Sequence, residues 1–293
     1  LGAAAFLAAA PAVTRACPGG DPRLFPAVGI RLRWAFAFVF LLVLAVVSLR
    51  SCRAPRGPAP VPTPSPVQGP PPRIAFVYDD VGYGRKKTLE RALRIGGKQA
   101  FAVISFSERD LEFGAMIRKG GGEILLHLPL PSEEPHPEQK YPGGIEMADS
   151  PERIAMKVQN ALARVPGAVG VNNHQGSKGT ADERLMGLIL GEIKKHGLFF
   201  LDSRTTVKSK GARMARKLKV SFAERSVFLD NEDEPKAIRV QVERLARRAR
   251  KKGSAVGIGH LREKTVEVLE SEIPRLQREG FEVVFVSELA ALP

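Results

Sequence analysis

From residue 73 onward, short apolar runs alternate with longer amphipathic segments. The runs IAFVYDD, AFAVISF, EILLHLP, AVGVNNH, LFFLDS, SVFLDN, AVGIGH and FEVVFVSEL are too short for helices and rich in β-branched and aromatic residues, which predicts eight strands. Between them KKTLERALRIG, RDLEFGAMIRKGG, SPERIAMKVQNALARV, ADERLMGLILGEIKKHG, ARMARKLK, EPKAIRVQVERLARRARKKG and TVEVLESEIPRLQREG place apolar residues at helical spacing and predict seven helices. Regular strand–helix alternation implies an α/β fold, a parallel sheet closed or nearly closed into a barrel over residues 73–293; an open doubly wound sheet is the alternative. After the first strand, DDVGYGRKK lacks the G-x-G-x-x-G spacing of a dinucleotide site.

Before residue 73 the pattern changes. Trp34 to Leu49, WAFAFVFLLVLAVVSL, carries no charge and is flanked by Arg31 and Arg33 on one side and Arg50 and Arg53 on the other. The run is a little shorter than the ~20 residues that usually span a bilayer, but flanking arginines that snorkel relax that limit. No small-residue cleavage site follows, and in LRSC an arginine stands where a lipoprotein box needs a small residue. The expectation is an uncleaved transmembrane signal anchor over residues 31–53, single-pass in the inner membrane, with the rest in the periplasm. Nine prolines fall within residues 55–72, so 54–72 is expected to be an extended spacer. Residues 1–30 are expected to be an unstructured lead or a mis-assigned start.

The net charge of +14 raises the question of a nucleic-acid partner. Residues 1–72 carry seven arginines against the single acid Asp21, and most remaining excess lies in helical segments such as ERLARRARKKG. No nucleic-acid motif or aromatic stacking platform accompanies it, so no nucleic-acid partner is expected. Cys17 and Cys52 both precede the folded part and suggest neither a zinc knuckle nor a disulfide framework.

Reactive residues cluster where the predicted strands end, which in a barrel is the end that builds the site. They are Asp79 and Asp80, His127, Asn172, Asn173 and His174, Asp202 and Ser203 with Arg204, Asp230 and Asn231, and His260. Two adjacent carboxylates at a buried strand end need a compensating charge. A divalent cation supplies it, one carboxylate binding the ion and the other taking a proton from water; a turn with a helix N-cap explains only one of them. His127 and His174 with one of these aspartates make two imidazoles and a carboxylate, a three-ligand set of the catalytic zinc kind. His260 is a titratable group suited to protonating a leaving amine, or else a further ligand or a partner for Asp79. Asp202, Ser203, Arg204, Asp230, Asn231, Asn172 and Asn173 are candidates for orienting ligands or binding substrate, Arg204 through a forked pair with Asp79 or Asp230. His136 and His196 are expected to be structural.

The motifs DDVGY, HLPL, GAVGVNNHQGS, GLFFLDSRTT, FLDN and IGH, in this order between Ile74 and Leu289, resemble the divergent polysaccharide deacetylase family. That family is a relative of the nodulation-type carbohydrate esterases in the glycoside hydrolase/deacetylase barrel superfamily. The resemblance implies a distorted barrel of about seven strands, so one of the eight predicted is expected to fall outside it. It also implies one divalent metal, zinc by ligand type, on Asp80, His127 and His174, with Asp79 as base and His260 near the leaving group. The implied substrate is an envelope polysaccharide bearing N- or O-acetyl groups. Two departures stand out: the residue four after His127 is Pro131 rather than a second histidine, and GHLREKT lacks the proline that relatives carry after the histidine. The competing readings are a glycoside hydrolase using Asp79 with Asp202 or Asp230, and a non-catalytic module that binds glycan or protein.

Overall fold

The computed structural model describes residues 69–134 and 141–293. The expected anchor, nearly all of the expected spacer and His136 lie outside the described residues, and among those described no helix is long and apolar enough to cross a membrane. The first elements are β1 (Arg73–Val81), α1 (Lys86–Arg94), β2 (Gln99–Ile104), α2 (Asp110–Lys119), β3 (Glu123–Leu130) and α3 (Pro151–Arg164). They are followed by β4 (Gly170–Gln175), α4 (Glu183–Lys195), β5 (Phe199–Asp202), α5 (Gly211–Leu218), β6 (Phe222–Glu224) and β7 (Val227–Phe228). The last are α6 (Pro235–Lys252), β8 (Ser254–His260), α7 (Glu263–Arg278), β9 (Glu282–Val283) and a single 3-10 turn at Val286–Glu288.

All the strand pairs are parallel, in the order β6-β5-β4-β3-β2-β1-β8-β7, and β9 pairs with the foot of β1. The two edges of this sheet, β6 and β7, are consecutive in the chain and joined only by Arg225 and Ser226. With successive Cα atoms 3.8 Å apart, that link spans at most about 11 Å, so the sheet must curl until its edges nearly meet. Arg225 N donates to Asp202 O of β5 and Ser226 N donates to Val256 O of β8, at 2.9 and 2.8 Å. One broken strand therefore closes the barrel, its first half on one edge and its second half on the other. Counted so, the wall has seven members.

The sequence expectation is corrected at two places. The strand β6 lies in SFAE, which showed no strand pattern, and the C-terminal run FEVVFVSEL contributes only the two residues of β9. Its apolar side chains are nevertheless buried, because Val284 and Val286 plug the lower interior of the barrel.

Two apolar layers hold the structure. The larger lies between the sheet and the helices, whose buried stripes (Ile154, Val158 and Ala161 of α3; Ile238, Val242, Leu245 and Ala249 of α6) recur every three or four residues. The smaller fills the barrel with Ala75, Val77, Ala100, Ala102, Leu125, Leu201, Ala223, Val256 and Ile258. Small side chains dominate because the wall is narrow. Local signals set helix ends: Ser150 Oγ accepts from Arg153 N to start α3 with Pro151 at its first position, Asp182 accepts from Leu185 N to start α4, and Gly253 ends α6 at φ +82°.

Candidate metal centre

Side chains alternate across a strand, so every second residue faces the barrel interior. Reading up these inward stripes, the apolar floor turns polar at the carboxyl ends: Ala75, Val77, then Asp79; Leu125, then His127; Gly170, then Asn172 and His174; Leu201, then Ser203; Ala223, then Arg225; Val256, Ile258, then His260. By alternation Asp80 belongs on the outside. It reaches the interior because the β1–β2 ladder slips by one residue between Tyr78 and Val81, and Asp80 sits at the extra position with φ +59°. Such a bulge re-aims a side chain, and aspartate is among the few residues that take a left-handed conformation readily. Gly82 follows at φ +128°, packed so closely on Ser107 that a Cβ there would meet its Oγ at 2.0 Å.

Asp80 Oδ1, His127 Nε2 and His174 Nδ1 form a triangle with sides of 2.8, 3.1 and 3.2 Å. Ligand atoms about 2.0 to 2.2 Å from one tetrahedral ion stand roughly 3.3 Å apart, so the set fits a single divalent cation of zinc size. The proton count points the same way. Asn172 Nδ2 donates to Asp79 Oδ1 at 2.8 Å, and its Oδ1 accepts from His127 Nδ1, also at 2.8 Å. That fixes the tautomer of His127 and leaves its Nε2 bare toward Asp80 and His174. With both imidazoles neutral, one proton at most serves three acceptor atoms, and placing it on His174 Nδ1 leaves the buried Nε2 of that ring bare and without a partner. A cation at the centre satisfies all three.

Burial drives the His174 imidazole below its ordinary value. For His127 burial acts in the same sense, but the carboxylates of Asp79 and Asp80 outweigh it and raise the ring. Burial likewise opposes ionisation of Asp80, yet the hydrogen bonds and charges of His127 and His174 hold it well below the usual carboxylate range. Asp79, only 5% exposed, is pushed up by desolvation, against the pull of His127 and Asn172. Two neighbouring carboxylates thus have environments that drive them apart, one toward the anion and one toward proton uptake.

On the other side, His260 Nδ1 donates to Asp230 Oδ1 at 3.0 Å, and His260 N donates to Asp230 Oδ2 at 2.7 Å. Thr265 Oγ1 donates to the same Oδ2 at 2.7 Å. The partner of His260 is therefore Asp230, not Asp79, and its free Nε2 lies 3.5 Å from Asp80 Oδ2. Burial depresses the imidazole of His260, but Asp230 outweighs that and raises it.

The remaining candidates divide. Ser203 Oγ lies 3.3 Å from Asn172 Nδ2, within the site. Asn173 faces the other way, its Oδ1 accepting from Ser203 N at 2.9 Å and its Nδ2 donating to Gln175 O at 2.7 Å, which braces a turn. Asp202 is spent on Arg204 N and Ser209 Oγ, at 2.7 and 2.6 Å. Asn231 is exposed and bonds none of these groups. The expected pairing of Arg204 with Asp79 or Asp230 is not found: its Nε lies 3.7 Å from Glu224 Oε2 at the rim. His196 ends α4, 3.7 Å from Glu192.

A half-buried arginine at the edge of the site, Arg225, escaped sequence reasoning. It sits at the break in the barrel wall, donates from Nε to Ser203 O at 2.6 Å and from Nη2 to Arg204 O at 2.8 Å, and stacks on Phe228 at 4.9 Å. Burial lowers its pKa, and the charges of Asp79 and Asp202 offset part of that. The available signal was an arginine between two short apolar runs in FAERSVF. Tyr141 closes the site from the side, its ring edge-on to His174 at 4.5 Å, beside a recess of about 610 Å³ lined by Pro129, Pro131, Ile145 and Met147.

Residues 76–290 match the sequence profile of the divergent polysaccharide deacetylases. The chain is 35% identical over 205 residues to the uncharacterized protein YibQ of Escherichia coli K12, a match covering 70% of this chain but 63% of that protein. An uncharacterized protein of Haemophilus influenzae Rd is 33% identical over 205 residues, covering 70% of this chain and 72% of its own length. A crystal structure of an uncharacterized protein from Agrobacterium tumefaciens C58 shares the fold, with a TM-score of 0.70 at 22% identity over 76% of this chain and 91% of that one.

Proposed function

Since the chain belongs to the divergent polysaccharide deacetylase family, we propose that it is a metal-dependent hydrolase that removes acetyl groups from a cell-envelope polysaccharide. In this reading it is held at the inner membrane by residues 34–49, with the barrel in the periplasm. The observation that carries the reading is the convergence of Asp80, His127 and His174 on one point, with Asp79 on one flank and His260 on the other.

When bound there, a divalent cation, zinc by ligand type, supplies Lewis acidity that polarises an acetyl carbonyl and makes water acidic near neutral pH. The chain's own groups do the rest. Asp79 accepts a proton from the attacking water; Asn172 holds one of its oxygens and leaves Oδ2 turned toward the cluster, 3.8 Å from His127 Nε2. Asn172 also holds His127 in the tautomer that offers Nε2. As the C–N bond of the acetamide breaks, His260 delivers a proton from Nε2 to the departing amine, and Asp230 stabilises the charged ring beforehand. Water adds its oxygen to the acetyl carbon, so acetate and a free amine leave.

A glycosidase needs a second carboxylate free to act across the sugar ring. Both oxygens of Asp202 and of Asp230 are engaged by the groups named above, which disfavours that reading. The test is elemental analysis of the purified protein beside its His127→Ala/His174→Ala double variant, followed by acetate release from acetylated glycans. About one equivalent of metal in the parent, none in the variant, and acetate release from the parent alone are expected. Absence of metal in both after reconstitution with zinc would favour a binding module instead.

A further inference from the structure

Because the strands are all parallel, every helix runs back from the site end, and all seven helix C-termini gather at the opposite end of the barrel. Each of the seven carries lysine or arginine in its last turn. The helix macrodipole favours cations there. It does not account for the whole pattern, since it equally favours acids at N-termini, yet α1 starts on Arg85, Lys86 and Lys87 and α5 starts on Lys210, neither with an acid in its first turn.

What distinguishes this end is uncompensated charge. Arg94, Lys119, Lys217, Lys219, Lys251 and Lys252 are exposed there, and none makes an ion pair among the described residues. The carboxylates nearby are already committed, Glu279 to Arg250, Glu282 to Arg73 and Glu288 to Lys98. At the site end the exposed lysines Lys87, Lys178, Lys208 and Lys236 also lack ion pairs among the described residues, but exposed Glu108, Glu133, Glu134 and Glu232 lie unpaired among them and offset their charge.

The chain also enters the barrel at this end. Arg73 N donates to Gly253 O at 2.9 Å, directly after Lys251 and Lys252. Upstream lie the proline-rich residues 55–72 and then the arginine-flanked apolar run 34–49.

We propose that the helix C-terminal end of the barrel is an electrostatic docking face for an anionic phospholipid bilayer, which turns the candidate metal centre away from the membrane. Its partner is the phosphate-bearing headgroup layer, recognised by charge and not by a pocket. The proposal does not depend on the deacetylase reading, because it concerns the opposite end of the molecule.

Residues Pro66–Pro293 form a compact unit with its own core, and without the apolar run they isolate the face from any anchor. The probes are vesicles of phosphatidylcholine alone and of phosphatidylcholine with phosphatidylglycerol. Two triple variants of equal charge change are compared, Lys217→Glu/Lys251→Glu/Lys252→Glu on the docking face and Lys87→Glu/Lys208→Glu/Lys236→Glu at the site end, each first checked for parental cooperative thermal unfolding. Expected are binding to the anionic vesicles only, loss of that binding with rising salt, and a loss of about a hundred-fold or more in the first variant but not the second. Equal weakening in both variants would reduce the effect to net charge and overturn the proposal. So would absence of vesicle binding, with or without binding of a DNA oligonucleotide. Because the fragment lacks residues 34–49, failure here leaves the anchor reading to be judged separately on the full chain.

Discussion

Asn172 is the residue on which base and ligand both depend, and its removal makes a quantitative test. In Asn172→Ala two buried groups lose their partners at once, His127 Nδ1 and Asp79 Oδ1, each now held at 2.8 Å. Leaving a buried polar group unsatisfied costs about 1 to 3 kcal/mol, so a loss of about 2 to 6 kcal/mol in unfolding free energy is expected. The ring of His127 also becomes free to rotate and change tautomer, and loss of such a supporting hydrogen bond typically weakens metal affinity about 10- to 100-fold. The control is the next residue. Asn173→Ala removes bonds of 2.9 and 2.7 Å from a turn that faces away from the cluster, so it is expected to cost stability and leave metal affinity intact. Denaturant titration gives the first quantity and zinc competition against a chromophoric chelator gives the second. Equal zinc affinity in the two variants would refute the reasoning that Asn172 sets the ligand.

Three further outcomes are expected. Asp230→Asn removes the charge that stabilises protonated His260, so kcat for acetate release should fall about 10²-fold or more while the metal content stays at the parental level. Gly82→Ala forces a Cβ against Ser107 at a φ of +128°, and thermal unfolding should show a loss of about 2 kcal/mol or more. Burial opposes ionisation of Asp149, but Lys157 and the amide of Glu146 outweigh it and hold its carboxyl below the usual range. Its contribution is therefore present above the ordinary aspartate value and is lost as pH falls below about 4, and Asp149→Asn should flatten that part of the curve of Tm against pH.

The sequence carried the outline of this fold because six of the barrel strands lie in short, largely apolar runs that are separated by amphipathic helical segments. It failed at the closing strand for a physical reason. Phe222–Phe228 divides its pairing between two edges, and neither half is long enough to show a period. At the C-terminus the run around Val284 and Val286 correctly signalled burial, but burial as a plug in the barrel floor, which needs no ladder. In the site, residues on inward stripes were legible because histidine, asparagine and aspartate interrupt apolar strands. Arg225 was not, since its importance comes from the closure of the wall, a contact between segments far apart in the chain. Arg204 looked the better arginine because it stands in LDSRTT, just past a predicted strand end.

The slipped ladder at Asp80 makes the two-carboxylate site hang on a single codon. Removing one residue from DDV would let β1 pair with β2 without interruption and leave one inward carboxylate where there are now two. The barrel, its core and its other strand ends would be untouched by that deletion. A descendant of this chain can thus keep its architecture, its histidines and much of its similarity while losing the division of labour between ligand and base, and the length of this one strand separates the two kinds of protein.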